Sequence, residues 1–129
     1  MKSYQEQVKK FNDERNWGTE TLWSLKDLML NMVEETGEAW NLIKWLQGKE
    51  LEEAVKKNKD EFEDFVGDQL YLIFKIAYLT NVDAEQAFKR SMEDHEKRFP
   101  AEKTRGKHTN VLSGGIDLKY PNQNTNQKQ

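Results

Sequence analysis

Apolar residues recur every three or four positions through the middle of the chain, a spacing that predicts helices rather than strands. They flank an acidic cluster at residues 34–38 and are concentrated in residues 28–33 and 40–46. A helix with so many apolar residues is expected to pack against other elements. Carboxylates on such a helix are costly to bury unless they are paired or bind a cation. The cluster therefore needs a partner of opposite charge.

The helical spacing predicts an all-α bundle of about four helices joined by short loops. The predicted helices cover residues 2–15, 25–46, 59–80 and 83–99, and residues 49–57 form a short polar helix or a turn. After Pro100 the sequence becomes rich in glycine, asparagine and glutamine. We therefore expect a helical domain over residues 1–100 and a mostly irregular tail over 101–129, disordered over 121–129.

The composition limits the kinds of function. The 129 residues include no cysteine and two histidines, which excludes a thiolate site and disfavours a histidine-rich one. A metal would be held by carboxylate oxygens, the ligands of Mg²⁺ or Mn²⁺. The net charge of −3 gives no general attraction to nucleic acid. The amino terminus lacks the apolar core of a signal peptide, and no run approaches the roughly 20 apolar residues of a membrane span. We expect a cytoplasmic protein that binds neither nucleic acid nor membranes.

Helical spacing arranges the carboxylates in two ladders on two predicted helices. The first ladder is Glu34, Glu35 and Glu38, and the second is Glu61, Asp64 and Asp68. Like charges three or four residues apart on a helix repel by about 0.2–0.5 kcal/mol per pair. A Mg²⁺ ion between the helices would replace this repulsion by coordination to about six oxygens. The alternative is two solvated faces that are neutralised by lysines, with candidates at Lys44, Lys56, Lys57 and Lys59.

Six short blocks, in a fixed order and spacing, connect these ladders to a known family. The blocks are Phe11-x-x-Glu14-Arg15-x-Trp17, Val33-Glu34-Glu35-x-Gly37-Glu38, Leu42-x-x-Trp45, Gly67-Asp68-x-Leu70, Val82-Asp83 and Arg98-Phe99-Pro100. Their arrangement over residues 4–112 resembles the all-α nucleoside triphosphate pyrophosphohydrolases of the MazG and dimeric dUTPase superfamily. The resemblance is closest to the branch that includes the dCTP pyrophosphatases.

The resemblance implies a metal site, and the chain departs from the family at one ligand. The family signature is E-x-x-E followed by E-x-x-D, which implies metal ligation by Glu35, Glu38 and Asp68. The second glutamate of the signature falls on Phe65, which cannot bind a metal. We expect Asp64 to replace it, with Glu61 as a supporting or alternative ligand. Two possibilities remain. Glu61-x-x-Asp64 is itself the second motif, displaced by one turn, or the activity is weakened or lost.

The resemblance also implies residues that contact the nucleotide. Trp17 and Trp45 match positions around the base in the dCTP pyrophosphatase-like branch, and an aromatic face can stack on a base. Trp23 and Trp40 are expected to lie in the core. The family binds phosphate through K-x-x-x-N-x-x-R on the last helix, of which only Arg98 is retained. The missing cation and hydrogen-bond donor are expected from other residues of that helix: Lys89, Arg90 and His95.

The implied activity is Mg²⁺-dependent hydrolysis of a nucleoside triphosphate to the monophosphate and pyrophosphate. The implied substrate is a pyrimidine deoxynucleotide or a modified nucleotide, as in house-cleaning of nucleotide pools. Glu34 or Glu61 would accept the proton of the attacking water. The family also implies a homo-oligomer, either a tetramer or a dimer. The alternatives are a nucleotide- or metal-binding regulator of the same fold, phosphoribosyl-ATP pyrophosphohydrolase, or a helical interaction module without a catalytic site.

Overall fold

The computed structural model describes residues 2–17 and 21–119, and this part of the chain contains helices and no strand. The α-helices are α1 (Lys2–Glu14), α2 (Leu25–Asn41), α3 (Gly48–Lys57), α4 (Lys59–Leu79), α5 (Ala84–Arg98) and α6 (Ala101–Thr104), and two 3₁₀ turns span Leu22–Ser24 and Val111–Ser113. The predicted all-α fold is confirmed. No described helix combines the length and the apolar character needed to cross a bilayer.

The chain divides into two compact units, Met1–Ala84 and Glu85–Gln129, which are described separately. The first unit holds helices α1 to α4, in which α4 packs against each of the other three. The predicted boundary near residue 100, between a helical domain and an irregular tail, stays a prediction.

Helix α2 is shorter than its apolar pattern predicts. It ends at Asn41 rather than near residue 46, and a turn follows over residues 42–45. The backbone carbonyl of Trp40 accepts hydrogen bonds from the amides of both Ile43 and Lys44, so the helical ladder closes there into a turn. Residues 49–57, which the sequence left open between a helix and a turn, belong to α3.

A buried amide joins α1 to α4. The side chain of Asn12 has no exposed surface, and its Nδ2 donates a hydrogen bond of 2.9 Å to the hydroxyl of Tyr78. The hydroxyl of Tyr71 donates to Asn12 Oδ1 at 2.6 Å. The backbone carbonyl of the same asparagine accepts a 2.8 Å hydrogen bond from the amide of Trp17. Asn12 therefore fixes the end of α1 and the residues that follow it against α4.

The expectation that Trp23 and Trp40 belong to the core is wrong. The two tryptophans are 91% and 58% exposed, respectively. Leu28 is the buried residue of α2 and marks its inner face. Trp40 follows it by twelve positions, which places it about 120° around the helix from that face. Trp23 lies in the short 3₁₀ turn that precedes α2.

In the second unit, the segment after α6 folds back onto the end of α5. Arg98 at the end of α5 binds the carboxylate of Asp117 with two hydrogen bonds, Nη2–Oδ2 at 2.6 Å and Nε–Oδ1 at 3.2 Å. The amide of Leu118 also donates to the carbonyl of Arg98 at 3.0 Å. Outside α6 and the second 3₁₀ turn, residues 105–119 are irregular, as predicted. The predicted disorder over 121–129 lies outside the described residues.

Candidate functional site

Carboxylates from α2 and α4 line one cleft of about 260 Å³. The acidic residues of its lining are Glu35, Glu38, Glu61, Asp64 and Asp68. The fold thus brings the predicted metal ligands together with Glu61. A larger cleft, of about 350 Å³, lies between α1 and the end of α4. Its lining mixes Lys9 with Glu6 and Asp83, so it carries no comparable excess of one charge.

The cleft exists because the two acidic ladders lie on facing sides of α2 and α4. Gln69, next to Asp68 in α4, fixes the pairing, since its Nε2 donates to the carbonyl of Met32 at 2.9 Å and to Thr36 Oγ1 at 2.8 Å. The three residues that form these hydrogen bonds do not line the cleft. Residues three and four apart share one side of a helix, so Glu35 reaches the cleft with Glu38, and all of the second ladder reaches it from α4.

Basic side chains of the described residues do not neutralise the negative charge of the cleft. No lysine or arginine of the described residues forms an ion pair with any of the five carboxylates. Of the lysines considered as partners, Lys59 lies 3.8 Å from Glu63, and the ammonium of Lys44 lies 5.2 Å from the rings of Trp40 and Trp45. The neutralised ladder is therefore not the arrangement found in this part of the chain.

The pKa of Glu35 reflects the concentration of negative charge around the cleft. Its partial burial raises the pKa of its carboxyl above the ordinary value, and repulsion from Glu38, Asp68 and Glu34 raises that pKa further. Glu34 does not line the cleft, and its side chain is exposed. It still adds to the repulsion, so the excess charge extends beyond the cleft lining.

The donors fit a hard divalent cation in their chemistry, although their present side-chain positions do not form a coordination shell. Within residues 2–17 and 21–119, no three acidic or histidine side chains converge closely enough to hold a metal ion. Four of the five carboxylates are exposed, so rotation about their side-chain bonds can bring oxygens together. Phe65 lines the cleft among them. Carboxylate oxygens without a counter-ion are the ligands that Mg²⁺ prefers.

An aromatic cluster lies beside the acidic ladder of α4. Trp17 is 54% exposed and meets the ring of Phe11 edge-on, with centroids 5.8 Å apart. Phe11 in turn meets Tyr71 edge-on at 6.3 Å, and the guanidinium of Arg15 stacks 3.8 Å from the centre of the Phe11 ring. Tyr71 follows Asp68 by three positions, so it shares that side of α4. The base contact of Trp17 stays a prediction, and its ring neighbours could not be predicted because Phe11 and Tyr71 lie on distant segments.

Trp45 lies in the turn after α2 and outside the lining of the cleft. It is 84% exposed, and its described ring contact is with Lys44. Its predicted contact with a nucleotide base stays a prediction.

The basic candidates of α5 belong to the second unit. Lys89 lies 3.3 Å from Glu85, Arg90 is exposed, and His95 is exposed with its ring 6.1 Å from that of Phe99. The contact of these three residues with phosphate stays a prediction.

Arg98 is already bound to carboxylates of its own unit. Its hydrogen bond with Asp117 raises the pKa of the guanidinium, and the same hydrogen bond lowers the pKa of the Asp117 carboxyl. Asp94 lies 3.5 Å from the other terminal nitrogen of Arg98. The predicted binding of a phosphate by Arg98 would have to displace the carboxylate of Asp117.

Comparison with known proteins adds no name to this site. No protein-family model, no curated protein and no solved structure matches the chain significantly. The likeness to the MazG and dimeric dUTPase superfamily therefore rests on sequence motifs alone and stays a proposal.

Proposed function

We propose that the chain is a Mg²⁺-dependent nucleoside triphosphate pyrophosphohydrolase, which converts a deoxynucleoside triphosphate and water to the monophosphate and pyrophosphate. One observation carries the proposal: five carboxylates from two helices line one cleft without a basic partner among the described residues. The motif resemblance supplies the reaction and the preference for a pyrimidine or modified base.

The residues that line the cleft support the proposed metal ligands. Glu35 and Glu38 from α2, with Asp64 and Asp68 from α4, would hold Mg²⁺. A bound Mg²⁺ neutralises phosphate oxygens and lowers the pKa of a water molecule. Asp64 is the substitute for the ligand that Phe65 cannot supply. The raised pKa of Glu35 means that a cation would favour the ionised form of this carboxyl.

The reaction needs a base for the attacking water. The water oxygen forms a new bond to phosphorus, the bridging bond between the α- and β-phosphates breaks, and pyrophosphate leaves. Glu61 lines the cleft and is not needed as a ligand, so it is better positioned than Glu34 to accept the proton of the water.

The remaining substrate contacts are proposed from the resemblance, and the position of Trp17 supports one of them. Trp17 has an exposed face and is held beside the flank of α4 that carries Asp68, so a base could stack on it. Trp45, Lys89, Arg90, His95 and Arg98 retain the roles that the resemblance implies: a base contact for Trp45 and phosphate contacts for the others.

Pyrophosphate release from a panel of deoxynucleoside triphosphates, with and without Mg²⁺, tests the proposal. The matched pair of variants is Glu38→Ala, inside the cleft, and Glu63→Ala, an exposed glutamate of α4 that pairs with Lys59. We expect release only with a divalent cation, lost in Glu38→Ala and retained in Glu63→Ala. Equal turnover in the two variants would falsify the assignment of the metal site.

A regulator that binds nucleotide or metal without turnover is a second candidate. Phe65 occupies part of the cleft lining, and no three described donors converge as they stand. If a nucleotide with Mg²⁺ raises the melting temperature of the chain but no pyrophosphate appears, the regulator replaces the enzyme.

A further inference from the structure

Gln69 interrupts an apolar stripe along α4. The stripe follows the helical spacing of three and four residues, and its other members are apolar: Phe62, Phe65, Leu72 and Ile76. All five residues are buried or half-buried. A polar residue in a stripe of this kind needs an explanation other than burial of apolar surface.

The side-chain amide of Gln69 belongs to a small polar cluster between α2 and α4. Its Nε2 donates to the carbonyl of Met32 at 2.9 Å and to Thr36 Oγ1 at 2.8 Å. Thr36 Oγ1 in turn donates to the same carbonyl at 2.8 Å. The three polar groups therefore form a closed set of hydrogen bonds that joins the two helices.

Stability alone does not explain this glutamine. Its Oε1 is buried and accepts no hydrogen bond from the described residues. A buried acceptor without a donor destabilises a fold. The carbonyl of Met32 does not depend on Gln69 for a side-chain donor, because Thr36 Oγ1 also donates to it. A methionine at position 69 would remove the unpaired oxygen and would leave that carbonyl with the threonine hydroxyl.

The hydrogen bonds of Gln69 instead fix the position of one helix against the other. A polar residue within an apolar helical stripe can specify one register at some cost in stability. A hydrogen bond holds its donor and acceptor about 2.7–3.2 Å apart, which is a narrower range than apolar contact imposes. Glu35 immediately precedes Thr36, and Asp68 immediately precedes Gln69. The two backbones are therefore held together beside the predicted metal ligands.

We propose that Gln69 is a positioning residue that sets the spacing of the α2 and α4 carboxylates for Mg²⁺ rather than for a larger cation. This inference rests on the proposed metal site. Mg²⁺ requires a nearly ideal octahedron of oxygens at about 2.0–2.1 Å, whereas Ca²⁺ accepts a flexible shell at about 2.3–2.6 Å. A fixed helix spacing favours the smaller ion, and its loss costs that ion more. Gln69 does not line the cleft, so it acts through the carboxylates and not as a ligand.

Titration calorimetry of the full chain with Mg²⁺, and separately with Ca²⁺, tests the proposal on Gln69→Met. We expect the affinity for Mg²⁺ to fall by at least about 10-fold and the affinity for Ca²⁺ to fall by a smaller factor. The melting temperature without divalent cations should stay the same or rise, because a buried unpaired oxygen is removed. An unchanged Mg²⁺ affinity, equal losses for the two ions, or a lower melting temperature overturns the proposal.

Thr36→Val tests whether the cluster acts as a unit, because it removes one acceptor of the Gln69 amide. It should weaken Mg²⁺ binding in the wild type and cause no further loss in Gln69→Met. Additive losses would mean that the two residues act separately, against the proposal.

The matched control is Gln7→Met, the same substitution at an exposed glutamine of α1. It should leave both affinities unchanged, and a loss equal to that of Gln69→Met would overturn the proposal. A wild type that binds neither ion removes the proposed metal site and this inference with it. A wild type that binds Mg²⁺ no better than Gln69→Met removes only this inference.

Discussion

One carboxylate in each unit has a shifted pKa, and the two pKa values are shifted in opposite directions. In the first unit, Glu35 shares a cleft with other carboxylates, and its pKa is raised. In the second, Asp117 is 5% exposed and accepts two hydrogen bonds from Arg98, and its pKa is lowered. The second arrangement is complete within the chain and serves stability. The first has negative charge in excess among the described residues, which is the feature that the proposed metal site depends on.

The largest expected effect is that of removing a cleft carboxylate. Asp68→Ala should lower Mg²⁺-dependent pyrophosphate release by at least about 100-fold, because the predicted metal would lose a ligand. The measurement is the initial rate as a function of Mg²⁺ concentration. Asp60→Ala is the control, since Asp60 lies in the first turn of the same helix and outside the cleft lining. Equal rates for the two variants would remove Asp68 from the site.

A second variant restores the family ligand in place of Phe65. Phe65→Glu adds a carboxylate to the cleft and should tighten Mg²⁺ binding by about 10-fold, because the number of oxygen donors rises. Titration calorimetry with Mg²⁺ measures this directly. An unchanged affinity would contradict this expectation and would show that Asp64 fully replaces the family ligand at position 65.

Breaking the ion pair of the second unit should affect stability and not metal binding. Asp117→Asn leaves Arg98 without its buried partner, and we expect the melting temperature to fall by several degrees at neutral pH. The pKa of Asp117 is lowered on folding, so its contribution is present above the unfolded value of about 3.9 and is lost as the pH falls through the folded value. The difference from wild type should therefore disappear in acid.

Asp94→Asn is the matched control for that experiment. Asp94 approaches the same guanidinium at 3.5 Å, but its side chain is 62% exposed. An exposed pair contributes little, so the melting temperature should hardly change. A loss equal to that of Asp117→Asn would mean that burial does not distinguish the two pairs.

The smallest expected effect is a gain in stability rather than a loss. The pKa of Glu35 is raised on folding, so its ionised form costs stability above the folded pKa, and this cost vanishes as the pH falls to the unfolded value. Glu35→Gln should therefore raise the melting temperature slightly at neutral pH without divalent cations. Added Mg²⁺ should stabilise the wild type more than this variant. A variant that is less stable at every pH would show that the repulsion around Glu35 is unimportant.

Helical periodicity predicted the main helices well because each is defined by its own local pattern. It extended α2 too far because Leu42, Ile43 and Leu46 keep helical spacing through a turn. It assigned Trp40 to the core because apolar character does not say which face of a helix meets a neighbour. That face is set by the pairing with α4.

The ladders could be predicted from the sequence, and their meeting in one cleft could not be derived from spacing alone. Spacing places Glu61, Asp64 and Asp68 on one side of α4, whereas the contact with Glu35 and Glu38 depends on how two helices pack. The same limit applies to Phe11 and Tyr71, which are sixty residues apart. Asp117 carries no local signal that it would bind Arg98, because the pairing depends on how the chain between them folds back onto α5.

The buried Asn12 gives the first unit a fixed register. Apolar contacts between two helices tolerate a slide of one turn, whereas an amide held between the hydroxyls of Tyr71 and Tyr78 would lose both partners in that slide. Every correctly folded copy must therefore set α1 at the same height along α4. Because the amide of Trp17 is bonded to the carbonyl of Asn12, that height also decides where the exposed indole stands along the acidic helix.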